Sequence, residues 1–301
     1  MKKIFAIVFV LMFAVSPVVS RAEESIKFEK EEVVRAIEEV VKEETKIVRD
    51  EVVDDERSSL TQVSIKMFLE GPYSAPTGLM STALNDANLI PVGEPYQFLG
   101  YEYVGGTNFP FLDPTVFDVV GSDAIVDWVF VEFRNSADMA EVLFSRPALL
   151  QADGDVVDYD GASNLYVDLS EEYYVSVGHR NHLQAMTENP KDISQPIDFS
   201  TEALYGNDAA KSISGVQTLW SGDVNRDGML KYTGAANDRD IILLTIGGVI
   251  PTGWVNGYFS ADTNMNGVVK YTGFENDRDP ILVNVHSLGG VNAVRHAQII
   301  N

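Results

Sequence analysis

Three features of the sequence predict a mainly β fold: a β-sandwich-like domain followed by a small α module of paired loop–helix units, with a helical spacer in front. Between residues 60 and 187, short runs of β-branched and aromatic residues are punctuated by Gly, Pro and Asp turns. Nearer the C-terminus one segment occurs twice, with Asp223 and Asp262 at equivalent places 39 positions apart. Ahead of both, residues 23–58 set Val33, Val34, Ile37, Val40, Val41, Ile47 and Val48 at helical spacing among Glu and Lys.

Taken in order, residues 1–22 read as a secretory signal peptide. Lys2 and Lys3 precede an apolar run from Ile4 to Val15, and small residues near Ser20 and Ala22 suit cleavage. Residues 23–58 follow as a charged, helical spacer, because valine in place of leucine lowers the propensity for a firm coiled coil. From residue 60 the strand pattern begins: Val63, Ile65, Met67 and Leu69 alternate with polar neighbours up to Gly71-Pro72. Gly78 to Ala87 reads as a short helix. Ile125 to Phe133 is dense in strand formers, and Pro147–Gln151 meets Val156-Val157 across Asp153-Gly154 as a hairpin. Leu165–Leu169 and Tyr173–Val177 close the series. Residues 188–217, with weak periodicity and many Pro, Ser and Asn, read as a linker, and 291–301 as a tail.

Composition limits the function classes. The 301 residues are 45% hydrophobic, enough for a packed core, and carry a formal net charge of −23, which argues against binding to nucleic acid phosphates. With no cysteine, neither disulfides nor thiolate chemistry is available. An exported module must then be stapled otherwise, and calcium suits that role.

The repeat carries the clearest chemistry. Asp223, Asn225 and Asp227 stand at loop positions 1, 3 and 5, followed by Gly228 at position 6 and the Met229 carbonyl at 7. In the second copy the same places hold Asp262, Asn264, Asn266, Gly267 and Val268. Hard oxygen donors at alternate positions converge on one cation, and the glycine allows the sharp turn, as in the front half of an EF-hand loop. Position 12, where such loops place a carboxylate, is Gly234 or Gly273. Closure falls to a later acid: Asp240 and Asp279 are expected, with Asp238 and Asp277 competing. Asp279 before Pro280 suits a helix N-cap. The predicted ions are two Ca²⁺. The first site should be tighter, since Asn266 stands where the first loop has Asp227. The two units should pack through Ile241, Leu243, Leu244 and Ile281, Leu282, Val283.

Both copies continue alike, with Lys231-Tyr232-Thr233-Gly234 against Lys270-Tyr271-Thr272-Gly273 and Asn237-Asp238-Arg239-Asp240 against Asn276-Asp277-Arg278-Asp279. Residues 218–290 therefore resemble the dockerin type I module, with the departure at position 12. Gly71-Pro72-Tyr73, Val126-Asp127-Trp128-Val129 and His179-Arg180-Asn181-His182 are similar to a β-rich module preceding such repeats in large secreted Bacteroidota-type proteins. The resemblance implies calcium binding and docking onto a protein or cell-surface partner of cohesin-like type, linked to polysaccharide degradation.

Other candidates read as structural. His179 and His182 lack a third ligand and suit hydrogen bonding at a strand end. Asp153, Asp155, Asp158 and Asp160 suit hairpin turns. Asp127 and Glu132 make a glycosidase-like pair of a kind any β-domain offers, and the sequence has no nucleophile elbow. The expected function is that of a secreted, non-catalytic, calcium-binding protein. The alternative is an adhesin whose β-domain binds a glycan or host ligand.

Overall fold

A computed structural model describes Arg35 and residues 60–105 and 112–300. The expected signal peptide lies outside the described residues, as does the spacer apart from Arg35. Among the described residues no helix is long and apolar enough to cross a membrane.

The chain is mainly β, built on a curled sheet. Eight strands join in the order His182–Met186, Glu172–His179, Ile125–Asn135, Asp138–Gln151, Asp155–Val157, Ile65–Lys66 and Ile197–Asp198, with Lys191–Asp192 added beside Glu172–His179. All pairings are antiparallel except that of Ile197–Asp198 with Ile65–Lys66. The two longest strands lose register near Asp127 and again after Phe133. Such irregularities increase local twist and bend the sheet. No second sheet of comparable size stands among the described residues.

Strand Ile125–Asn135 is buried at every residue up to Arg134, charged Asp127, Glu132 and Arg134 included, so both of its faces are covered. Trp128 anchors the core: its Nε1 donates to the Pro91 carbonyl at 2.8 Å, and the Tyr96 hydroxyl donates to the Trp128 carbonyl at 2.7 Å. The expected alternation at the start of the domain is present as burial, with Val63, Ile65, Met67 and Leu69 all in the core. The expected helix is one turn, Ala83–Asp86. The Asp153-Gly154 hairpin forms as expected, with Leu149 opposite Val157 and Leu150 opposite Val156.

Two stretches differ from their sequence expectation. The expected linker is folded: it supplies two strands of the main sheet and a hairpin, Lys211–Ile213 with Val216–Thr218. The expected tail contributes Val294–His296, which pairs with Met229–Lys231 of the first repeat. Weak periodicity misled here because strands of two or three residues are too short to show any.

The repeats sit directly on the sheet, and residues 60–301 form one compact unit. Isolated bridges join Leu69 to Leu219, His182 to Ser221 and Ala185 to Gln298. The approach is close: a Cβ at Gly71 would lie 2.4 Å from the Thr263 carbonyl oxygen, so only glycine fits there. A second core gathers Val224, Leu230, Ile242, Val269, Ile281 and Val285 of the loops and their helices with Trp220 just before the first loop and Leu183 from the main sheet. The expected contact between the units holds at Ile241 and Ile281 but not at Leu244 or Val283. Ile242, Ile281 and Val285 are buried, whereas Leu244 and Val283 are 66% and 57% exposed.

Candidate metal centre

Each loop is shaped by the residues that repeat. Arg226 and Met265 at position 4, and Gly228 and Gly267 at position 6, all take positive φ. The position-3 and position-5 side chains fold back on their own loop. Asn225 Oδ1 accepts from Asp227 N at 3.0 Å and Asp227 Oδ1 from Met229 N at 2.9 Å, while Asn264 and Asn266 do the same one repeat later. Asp223 Oδ2 accepts from Gly228 N at 3.1 Å, and Asp262 Oδ2 from Gly267 N at 2.8 Å. The carbonyl-bearing residues Met229 and Val268 each begin a short strand after the turn.

Asp238 and Asp277, the competing candidates, set their carboxylates against the loop backbone, which the expected Asp240 and Asp279 do not. Asp238, fully buried, accepts from Val224 N and Lys231 N, both at 2.8 Å, and so draws the two arms of the loop together. Asp277 does likewise with Thr263 N at 2.8 Å and Lys270 N at 2.7 Å. Asp240 and Asp279 point away, each more than half exposed and paired with the preceding arginine. Their role is capping. Asn237 Oδ1 accepts from Asp240 N and its amide donates to the Asp240 carboxylate, an arrangement repeated by Asn276 and Asp279. The residue before the second helix is Asp277, which puts Pro280 third within it and still in the first turn, where proline is tolerated. Arg239 stacks on Tyr232 at 5.1 Å, and Arg278 on Tyr271 at 5.3 Å. The two repeated tetrapeptides therefore encode one structure: tyrosine platform, asparagine cap, loop-closing aspartate, stacking arginine and capping aspartate.

Burial perturbs the carboxylates of both loops, and only the first holds a buried carboxylate oxygen without a hydrogen-bond partner. Asp223 is nearly fully buried, and its Oδ1 has no hydrogen-bond partner. Burial, then the neighbouring Asp238 and Asp227 carboxylates, push its pKa up to about 8. Burial raises Asp238 to about 6, and burial with the charge of Asp262 raises Asp277 to about 7. Charged groups so placed are costly without a counter-ion. In the second loop both Asp262 oxygens accept backbone N–H groups, leaving no orphan. Among the described residues no three His, Asp or Glu side chains gather into a ready cage. Amide and carbonyl oxygens of Asn225, Met229, Asn264 and Val268 would have to complete each set, which hard-cation chemistry permits.

A buried network joins the repeats to the sheet. Gly71 N–H donates to His182 Nε2 at 3.2 Å, so the His182 proton sits on Nδ1, facing Asn181 Oδ1 at 2.8 Å and His179 Nδ1 at 3.0 Å. His179 Nε2–H then donates to Asp127 Oδ2 at 3.0 Å. Arg180 Nε donates to the same oxygen and the Tyr258 hydroxyl to Asp127 Oδ1. Asn181 Nδ2 donates to the carbonyls of Ser260 and Asp262, tying the turn to the second loop. Both histidines make the buried hydrogen bonds expected of them at a strand end. Asp127 and Glu132 lie five residues apart on one strand, roughly 17 Å of extended chain. That separation exceeds the roughly 5–10 Å between glycosidase carboxylates. Of the turn aspartates, Asp153 and Asp160 accept backbone N–H groups within their turns and Asp158 pairs with Arg146.

Burial lowers the pKa of His179 and His182 below the ordinary 6.5. The unfolded chain therefore binds more protons at these two sites, so the histidines' contribution to stability is complete above about pH 6.5 and falls as pH drops below it. In saturating calcium, the urea midpoint should fall between pH 7.5 and 5.5, and less steeply in His182→Gln. An equal slope in the variant would contradict this origin.

A cleft of about 260 Å³ opens beside the first loop, lined by Tyr96, Tyr101, Phe130, Arg180, Gln184 and Asp223 among others. Compared with family models, curated proteins and solved structures, the chain matches none.

Proposed function

We propose that this chain is an exported, non-catalytic calcium-binding protein whose dockerin-like repeats dock it onto a protein or surface partner, in the setting of polysaccharide degradation. The observation that carries the reading is the doubled loop, in whose first copy Asp223 Oδ1 is buried without a hydrogen-bond partner. Asp223, Asn225, Asp227, Met229 and Asp238 would hold the first ion, and Asp262, Asn264, Asn266, Val268 and Asp277 the second. Exposed apolar side chains on the repeats, Leu244, Ile250, Trp254 and Val283, support a protein partner. A helical spacer ahead of the β-rich part completes this reading.

Calorimetric titration should resolve two calcium events, the first loop tighter. Asp223→Asn should abolish the tight event and Asp262→Asn the weak one, with the melting temperature rising on calcium addition by mass action. Absence of heat and an unchanged melt would refute calcium binding. The adhesin reading is favoured by one observation: the cleft beside the first loop offers the rings of Tyr96, Tyr101 and Phe130 with the amide of Gln184. Binding on a glycan array would select it.

A further inference from the structure

Three side chains far apart in sequence meet at the junction of the hairpin, the sheet and the second repeat helix. Lys211 Nζ donates to Glu70 Oε1 at 2.5 Å and to Asn284 Oδ1 at 2.9 Å. Asn284 Nδ2 donates to the other Glu70 oxygen at 2.7 Å. One carboxylate thus bridges an amine and the NH₂ group of the amide that the amine touches. From this geometry we propose that Lys211 and Asn284 form an intramolecular isopeptide bond, promoted by Glu70.

The surroundings fix the parts as such a reaction needs. Asn284 is fully buried, and its amide also donates to the Ser221 carbonyl at 3.0 Å, which holds the leaving nitrogen in place. Ser221 N donates to Glu70 Oε2 at 2.9 Å, orienting the carboxylate. The Glu70 side chain is 11% exposed and that of Lys211 25%, with the Trp220 ring 5.5 Å from the amine. A nucleophile within reach of its base, and a base oriented by a third group, is the general arrangement of an activated nucleophile.

The chemistry balances without an external reagent. The Lys211 ammonium gives a proton to Glu70, and the freed Nζ lone pair attacks Cγ of Asn284. The tetrahedral adduct loses a proton from Nζ, and the Asn284 nitrogen gains one through the Glu70 carboxyl. The Cγ–Nδ2 bond breaks, ammonia leaves, and Cγ–Nζ remains as an amide. Proximity supplies the rate, since the partners are held together by the fold. The bond would cross-link the hairpin to the second repeat, constraining the unfolded chain as a disulfide does. The sequence has no cysteine to do so otherwise.

The test is mass spectrometry of the purified full chain, folded in calcium and then denatured. The mass should fall short of the calculated value by one ammonia. Trypsin should not cut after Lys211, and fragmentation should find the Lys211 and Asn284 peptides joined. Lys211→Arg, Asn284→Ala and Glu70→Gln should each restore the full mass, and Lys211→Arg should melt at a lower temperature. Lys211→Arg keeps charge and length, so it carries the comparison if the alanine variant does not fold. A wild-type chain that melts cooperatively yet shows full mass and cleavage after Lys211 overturns the proposal. So does a mass deficit located within a linear peptide, as a succinimide would give, or one that persists in Lys211→Arg.

Discussion

Asp127→Ala is expected to destabilise the protein by about 3–5 kcal/mol, the cost of leaving a buried charge without its partner. Asp127 is fully buried and accepts from His179, Arg180, Tyr258 and the backbone of Trp128. Burial alone would raise its pKa, but Arg180, then His179 and Tyr258, outweigh it and hold the carboxyl below the ordinary 3.8. Arg180 is as deep, its ring-side face lies 4.3 Å over Tyr258, and its Nη2 already lacks a partner. Removing the carboxylate strands the guanidinium and unseats the His179–His182 chain. Urea denaturation in saturating calcium measures the loss. Arg180→Met in the Asp127→Ala background should recover much of it, because an apolar pair replaces an orphaned charge. A loss below about 1 kcal/mol for Asp127→Ala would show that water reaches Arg180 and that the network is not closed.

The second large effect concerns autonomy. Residues 222–301 alone are expected to show no cooperative melt even in millimolar calcium, whereas residues 60–301 do. The repeat core includes Leu183 and Trp220, which that fragment lacks. Its second loop is held through Asp262 and Ser260 carbonyls by Asn181, also lost. About 80 residues with part of their core removed fall below what burial can stabilise. Thermal melts followed by circular dichroism decide it. A sharp transition in the fragment would show that calcium and the two helices suffice.

The sequence alone determined the repeat, its loop positions 1 to 7, the strand-rich stretch and its Asp153-Gly154 hairpin. These signals are local: a donor at every second position, a glycine at the tight turn and alternating burial are written in neighbouring residues. The tertiary structure decided which acid meets the backbone of each loop. Asp238 and Asp240 differ by two positions on one helix turn, and only the fold sets the first against the backbone of Val224 and Lys231 while the second caps the helix. It also turned an apparent linker and tail into strands, because two-residue pairings depend on a partner rather than on a pattern. The Glu70–Lys211–Asn284 cluster had no sequence signal at all. Its members are separated by 141 and 73 residues, and only the seating of the repeats on the sheet brings the amine, the amide and the carboxylate within hydrogen-bond reach.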